Sequence, residues 1–211
     1  MSLIIFMRHG QANNNVKKLL VGRNLESHLT DLGREQVKNT TTQILSTIDI
    51  HKIYSSPVVR TMETAEIVSD IIDVPVEKDE RLFEIELGKL VGMYYEDLIS
   101  KHGKLFVKFY CDNDDENSLL EFEVESFGDV KKRVSALLQE TVRKHRNENV
   151  LLVSHLDPIK AAISLIMNIK PSSVYDIYIP NASLNIFKSS NDVISLCGLN
   201  IMDIRRFTSD L

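Results

Sequence analysis

Three stretches of this chain put chemically capable side chains where apolar runs end. Phe6-Met7-Arg8-His9-Gly10 closes a run that begins at Leu3, and Ser154-His155 closes a second over residues 150–153. A third, residues 50–54, ends at Ser55-Ser56-Pro57, which places Arg60 in the first turn of a following helix. An apolar run of about five residues stopped by a polar turn reads as a strand buried on both faces. Ligands bind at the carboxyl ends of such strands in open α/β sheets. Parallel neighbours bring the imidazoles of His9 and His155 to one mouth, and a helix start adds free N–H groups and a positive dipole end beside a guanidinium. Arg8, Arg60, His9 and His155 together make a compact anion site. Taken singly, each stretch has a plainer reading, a strand end whose arginine pairs with an acid and whose histidine is a satisfied polar residue.

The elements that must hold these groups follow from periodicity. A polar, Asn-rich loop over residues 11–27 succeeds the first strand. Thr30-Asp31-Leu32-Gly33 opens a helix capped by Thr30, with Val37, Ile44 and Ile48 near helical spacing. Pro57 suits the first turn of a helix running to about residue 71. Residues 74–82 read as a short extended piece. From 88 to 124 the pattern is irregular, with Tyr94, Tyr95, Phe106, Phe109 and Tyr110 and an acidic stretch over 112–117. This is an insert, a lid over the carboxyl edge of the sheet. Ser126 with Asp129 resembles a capping box, and Val130, Val134, Leu137, Leu138 and Val142 share one face of the helix that follows. Another helix follows His155, then an extended stretch over 175–180 and strands around 183–187 and 193–199. The alternation predicts a three-layer α/β/α sandwich with a mostly parallel central sheet, one domain over 1–211.

Composition narrows the function. With 211 residues, 43% apolar and 26% charged, the chain is ordinary for a soluble globular protein with a substantial core. A net charge of −5 argues against a nucleic-acid partner, which needs clustered Lys and Arg, so an anion must be caught by local charge. Cys111 and Cys197 show neither metal-ligand spacing nor a disulfide framework, which suits a reducing cytoplasm. No signal peptide and no membrane span are read. Asp112, Asp114, Glu116 and Glu123 loosely fit a calcium loop, but Asn117 stands where its glycine is required, so a solvated acidic loop is expected.

In this order, Met7-Arg8-His9-Gly10-Gln11, Leu29-Thr30-Asp31-Leu32-Gly33, Ser55-Ser56-Pro57-Val58-Val59-Arg60-Thr61-Met62-Glu63-Thr64-Ala65, Arg81-Leu82-Phe83-Glu84, Glu125-Ser126 and Val153-Ser154-His155 resemble the histidine phosphatase superfamily, which includes the cofactor-dependent phosphoglycerate mutases. The resemblance covers nearly the whole chain. It implies that His9 attacks phosphorus and becomes a phosphohistidine, that Arg8 and Arg60 hold the non-bridging oxygens in a fork a lysine cannot reproduce, and that His155 balances charge. It also implies that Glu84 protonates the leaving oxygen, a form of help worth about 10²–10⁴ in rate. Glu86, two residues on, is the competing acid. Asn15, Gln11, Gly22 and Arg23 are candidate substrate contacts, and His28, in the loop after His9, is a weaker one. Leu156 stands where the family commonly has glycine, which puts a left-handed backbone after His155 in doubt.

Against the mutases, residues 85–88 lack their Arg-His-Tyr continuation, and no arginine lies between Arg81 and Arg133. Lys89, Lys101, Lys104 and Lys108 supply only flexible point charges for a second anion. The expected function is therefore a metal-independent, cytoplasmic phosphomonoesterase acting on a small phosphorylated metabolite, with no resident cofactor. The alternatives are a mutase using 2,3-bisphosphoglycerate and a non-catalytic phospho-ligand binding module, the latter disfavoured because binding alone needs no nucleophile and acid. A homodimer is compatible with the sequence.

Overall fold

The computed structural model describes residues 2–23, 26–43, 45–108, 121–191 and 193–202. Its centre is a six-stranded sheet in the order β3-β2-β4-β1-β5-β6, built from β1 (Ser2–Arg8), β2 (Ile50–Ser55), β3 (Val76–Lys78), β4 (Asn149–Ser154), β5 (Leu184–Ser190) and β6 (Val193–Ile201). The first four in that order are parallel, and β5 and β6 add an antiparallel edge. In β1 and β4 the side chains alternate between faces. Ile4, Phe6, Val150 and Leu152 pack with Val130, Val134 and Leu137 of the helix Phe127–Lys144 and with Ile159 and Ile163 of the helix Leu156–Met167. Ile5, Met7, Leu151 and Val153 face the other way, onto Val37 of the helix Asp31–Gln43 and Ala65 and Val68 of the helix Val59–Ile72. Each such buried side chain stabilises the fold by about 1.5–3 kcal/mol. That is why both strands read as continuous apolar runs.

Helix starts follow the expected caps. Thr30 Oγ1 accepts the Gly33 N–H at 3.0 Å, and Ser126 Oγ accepts that of Asp129 at 3.1 Å, each meeting a donor the helix cannot. Two expectations need correction. Of residues 74–82 only Val76–Lys78 is strand. Asp79 accepts from Arg81 N and turns the chain into a 3₁₀ turn, Glu80–Leu82. The lid, read as irregular, forms a 3₁₀ turn at Gly88–Leu90 and helices at Tyr95–His102 and Leu105–Lys108. Leu90, Leu98 and Leu105 enter the core from it, and helices this short carry too few apolar repeats to show a period. Ile44, Phe109, Tyr110 and the acidic stretch 112–117 lie outside the described residues.

The lid is tied to the loop after β1 through main-chain atoms. Leu20 N donates to Met93 O (2.9 Å), Gly92 N to Leu20 O (2.7 Å) and Tyr95 N to Lys18 O (2.9 Å). Among the described residues, no helix is long and apolar enough to cross a membrane.

Candidate active site

Three parallel strands deliver the site. In the order β2-β4-β1, their carboxyl ends are locked by main-chain bonds, His9 N to Ser154 O and Ser56 N to Val153 O, each 3.0 Å. His9 therefore follows β1 directly, His155 follows β4 and caps the next helix, and Arg60 enters from the helix after β2. The turn after His9 is clamped against the helix Asp31–Gln43, where a Cβ on Gly33 would sit 2.0 Å from Gln11 O. Only glycine allows that approach.

Arg60, 2% exposed, joins the two imidazoles. Its Nε donates to His9 Nε2 at 3.2 Å, and its Nη2 reaches His155 Nδ1 at 3.0 Å and Gly22 O at 2.9 Å. Its Nη1 is buried with no hydrogen-bond partner. The tautomers follow from the partners. His9 Nδ1 lies 2.7 Å from Gly10 O, which can only accept, so Nδ1 carries the proton and Nε2 the lone pair. For His155 the lone pair is on Nδ1, facing Arg60, and Nε2–H meets Ser56 Oγ at 2.9 Å. Burial first, then Arg60, holds both imidazoles well below the usual histidine range, with Arg8 adding to the effect. Both are therefore neutral at pH 7. Burial likewise pushes Arg60 down to about 10.

These groups face or underlie a cavity of about 710 Å³. Arg8, His9, Asn15, Gly22, Arg60 and Glu84 line it, and His155 lies behind Arg60, fully buried. Arg8 Nη1 donates to Ile179 O. Gly22 adopts φ +52°, a left-handed turn that presents its carbonyl to Arg60. Asn15 Oδ1 takes the Ala12 N–H at 2.9 Å. Glu84 Oε1 accepts the N–H groups of Ile85 (3.1 Å) and Asp157 (3.2 Å). Burial, then the charge of Asp157, pushes its carboxyl up to about 8 against the pull of Arg60.

Several sequence candidates fall elsewhere. Gln11 does not line the cavity; its Oε1 and main-chain O accept from Thr30, and its N–H goes to Gln36 Oε1. Arg23 is also outside the lining. It donates to Glu84 O (3.2 Å) and Glu125 Oε2 (2.6 Å) and lies 5.1 Å from the Phe83 ring centroid, bracing the segment that carries Glu84. Glu86, the competing acid, receives Gly88 N and lies 3.4 Å from Arg23. His28 pairs with Glu63 on the surface. Lys89, Lys101, Lys104 and Lys108 are absent from the lining, where Lys18 and Lys160 appear instead. Leu156 begins a helix and needs no positive φ.

Asp157, Lys160, Ser56 and Asn181 were not anticipated. Asn181 Nδ2 donates to His9 O at 3.1 Å, and Lys160 Nζ donates to Tyr175 O at 2.7 Å. Asp157 and Lys160 stand one turn apart just after His155, so their spacing was available as a signal. Among the described residues, no group of three His, Cys, Asp or Glu side chains is disposed to hold a metal ion.

Comparison with known proteins agrees with this geometry. The family model described as histidine phosphatase superfamily (branch 1) matches residues 4–201. The chain is 32% identical over 186 residues to the 2,3-bisphosphoglycerate-dependent phosphoglycerate mutase of Thermoplasma acidophilum, covering 88% of this chain and 86% of that protein. It is 30% identical over 199 residues to phosphoserine phosphatase 1 of Hydrogenobacter thermophilus, covering 94% and 92%. Among solved structures, YhfR of Bacillus stearothermophilus superimposes with a TM-score of 0.86 at 25% identity, over 96% of this chain and 98% of that one.

Proposed function

The chain belongs to the histidine phosphatase superfamily as a phosphatase-type enzyme, and from that premise we propose that it hydrolyses small phosphomonoesters through a phosphohistidine at His9, without a metal ion. One observation carries the reading. A single cavity gathers a neutral imidazole with its lone pair on Nε2, two guanidinium groups, and a carboxyl held protonated near neutral pH.

Non-bridging phosphoryl oxygens are held by Arg8 and Arg60, with Asn15 offering its amide N–H groups. As the anion enters, the Arg60 Nε–H exchanges its acceptor, leaving His9 Nε2 for a phosphoryl oxygen and so freeing the lone pair. His9 Nε2 attacks phosphorus in line with the leaving oxygen, the P–O bond breaks, and the Glu84 proton moves to that oxygen to release a neutral alcohol. The Glu84 carboxylate then takes a proton from water while the hydroxide attacks phosphorus. The P–N bond breaks, its electron pair returns to Nε2, and inorganic phosphate departs. Nδ1–H stays on Gly10 O throughout, and His155 donates or withholds no proton in this scheme. The guanidinium groups stabilise the charge that a cation stabilises elsewhere.

We favour hydrolysis over mutase chemistry because, among the described residues, no arginine besides Arg8 and Arg60 lines the cavity. Beyond Arg8 and Arg60 its lining cations are Lys18, 2.6 Å from Glu96 in an exposed pair, and Lys160, engaged by Tyr175 O. Neither brings the bidentate fork of an arginine to the second phosphate of 2,3-bisphosphoglycerate.

Phosphate release from phosphoserine and p-nitrophenyl phosphate, measured in excess chelator, tests the proposal beside a 3-phosphoglycerate isomerisation assay with and without 2,3-bisphosphoglycerate. Expected are hydrolysis unaffected by chelator, acid-labile phosphate on His9, and no turnover by His9→Ala. Isomerisation outpacing hydrolysis, or phosphate on another residue, would overturn it.

A further inference from the structure

Glu84 has one neighbour that the reaction scheme leaves unused. Asp157 is the second residue of the helix Leu156–Met167, where an acidic side chain ordinarily serves the helix dipole. Here it also lines the cavity. Its N–H donates to Glu84 Oε1 at 3.2 Å, which brings the Asp157 side chain beside the Glu84 carboxyl, and its charge works against ionisation of that carboxyl. A neighbouring acid makes the Glu84 carboxyl costlier to ionise.

We propose, resting on the assignment of Glu84 as the acid, that Asp157 is its positioning residue: its main-chain N–H aims the Glu84 carboxyl, and its side chain at the cavity wall keeps the proton on Glu84. Glu84 Oε1 accepts two N–H groups, Ile85 at 3.1 Å besides Asp157, so the proton belongs on Oε2. That oxygen gives it to the leaving alcohol as the P–O bond breaks, leaving a Glu84 carboxylate beside Asp157. Repulsion between the two makes Glu84 a better base for the next half-reaction, in which it takes a proton from water as hydroxide attacks the phosphohistidine. One aspartate thus favours both halves of the cycle.

Other charged groups near Glu84 work in the opposite direction. Arg60, from the helix after β2, and Lys160, one turn beyond Asp157, favour the ionised carboxylate. Arg8 and His9 from the β1 end share the cavity, and Arg23 touches Glu84 only through its main-chain oxygen. Asp157 opposes these cations by charge, and Asp176 is a further acid in the cavity lining.

The test is the pH profile of kcat/KM for an alkyl phosphate in the wild type, Asp157→Asn, Asp157→Ser and Glu84→Gln, with melting temperatures as a folding control. Serine keeps a short polar residue at the helix start if asparagine disturbs it. The wild type should lose activity above about pH 8. Each Asp157 variant should move that limb down by about one pH unit or more. For one unit, the loss relative to wild type is about fivefold at pH 8 and about tenfold at pH 9, with little at pH 6. A merely structural residue would lower the rate equally at every pH. Glu84→Gln should remove the limb. If it does and both Asp157 variants keep the limb at the wild-type pH, the positioning role is wrong while the acid assignment stands. If Glu84→Gln retains the limb, the acid assignment fails and the inference with it.

Discussion

Arg60→Met should cost the enzyme its chemistry while costing the fold little. The guanidinium is buried, one of its nitrogens lacks a partner, and burial has pushed it down to about 10 from an ordinary 12.5. For a base whose folded value is depressed, the penalty is fully present below the folded value and vanishes above the unfolded one. At pH 7 the charge therefore destabilises the ligand-free protein by about 3 kcal/mol. Methionine removes that penalty and also the bonds to Gly22 O, His9 Nε2 and His155 Nδ1, each worth about 1 kcal/mol. The two effects offset, so the melting temperature of the ligand-free variant should stay within about 4 °C of wild type, at about 2–4 °C per kcal/mol for this chain length. Truncating Phe127, equally buried, should cost about 3–5 kcal/mol.

The informative measurement is the shift with inorganic phosphate or vanadate. At a hundred times its Kd the anion stabilises wild type by about 2.7 kcal/mol, or about 5–11 °C. If losing the guanidinium weakens binding about a hundredfold, the variant at the same concentration gains only about 0.4 kcal/mol, while phosphoryl transfer falls by about 10³ or more. An Arg60→Met protein that melts far below wild type yet shows the full phosphate shift would refute the picture of an arginine held under strain for an anion.

Glu84→Gln should slow transfer from an alkyl phosphate by about 10²–10⁴ and barely touch an aryl phosphate, whose leaving group needs little protonation; equal loss on both, measured as His9 phosphorylation, would reject the acid role. Arg23→Met should keep the phosphate-induced rise in melting temperature and lower alkyl phosphate turnover by about tenfold through a loosened Glu84 segment, whereas a weakened phosphate shift would return Arg23 to the substrate. Gly33→Ala should lower stability by about 3 kcal/mol, because the new Cβ meets the main-chain oxygen of Gln11, and a wild-type denaturation curve would contradict that.

The strands that carry the site were legible because β1 and β4 are buried on both faces, so their composition alone marks them, and polar turns mark where they stop. Arg60 was legible as a helix-start cation, but its contact with both histidines was not. It lies 51 residues from His9 and 95 from His155 in sequence, and only the β2-β4-β1 order closes that gap. Glu84 could be singled out only through family resemblance, since nothing in its local pattern separates it from Glu86; the cavity does. Arg23 and Gln11 lie outside the cavity lining although they share the loop after His9, because closeness along the chain is not closeness to a ligand. A loop that turns at Gly22 points successive side chains to different sides. Asp157 was passed over because an acid at a helix start has an ordinary explanation.

Besides the exposed Lys18–Glu96 pair, the seam between the lid and the loop after β1 is held by main-chain amide-to-carbonyl bonds. Such bonds are indifferent to the side chains on either side of them, as a hinge is indifferent to the paint on its door. Tyr95 and Phe106, whose tilted rings lie 5.0 Å apart between centroids where they face the cavity, are therefore replaceable without unseating the lid, whereas Gly10 and Gly33 beneath the nucleophile are not. Mutational drift in such a protein has an easy direction and a forbidden one. The choice of alcohol can change over generations while the grip on phosphate and the nitrogen that attacks it stay where they are, and a library confined to lid positions should yield new selectivities from folded, phosphorylatable proteins.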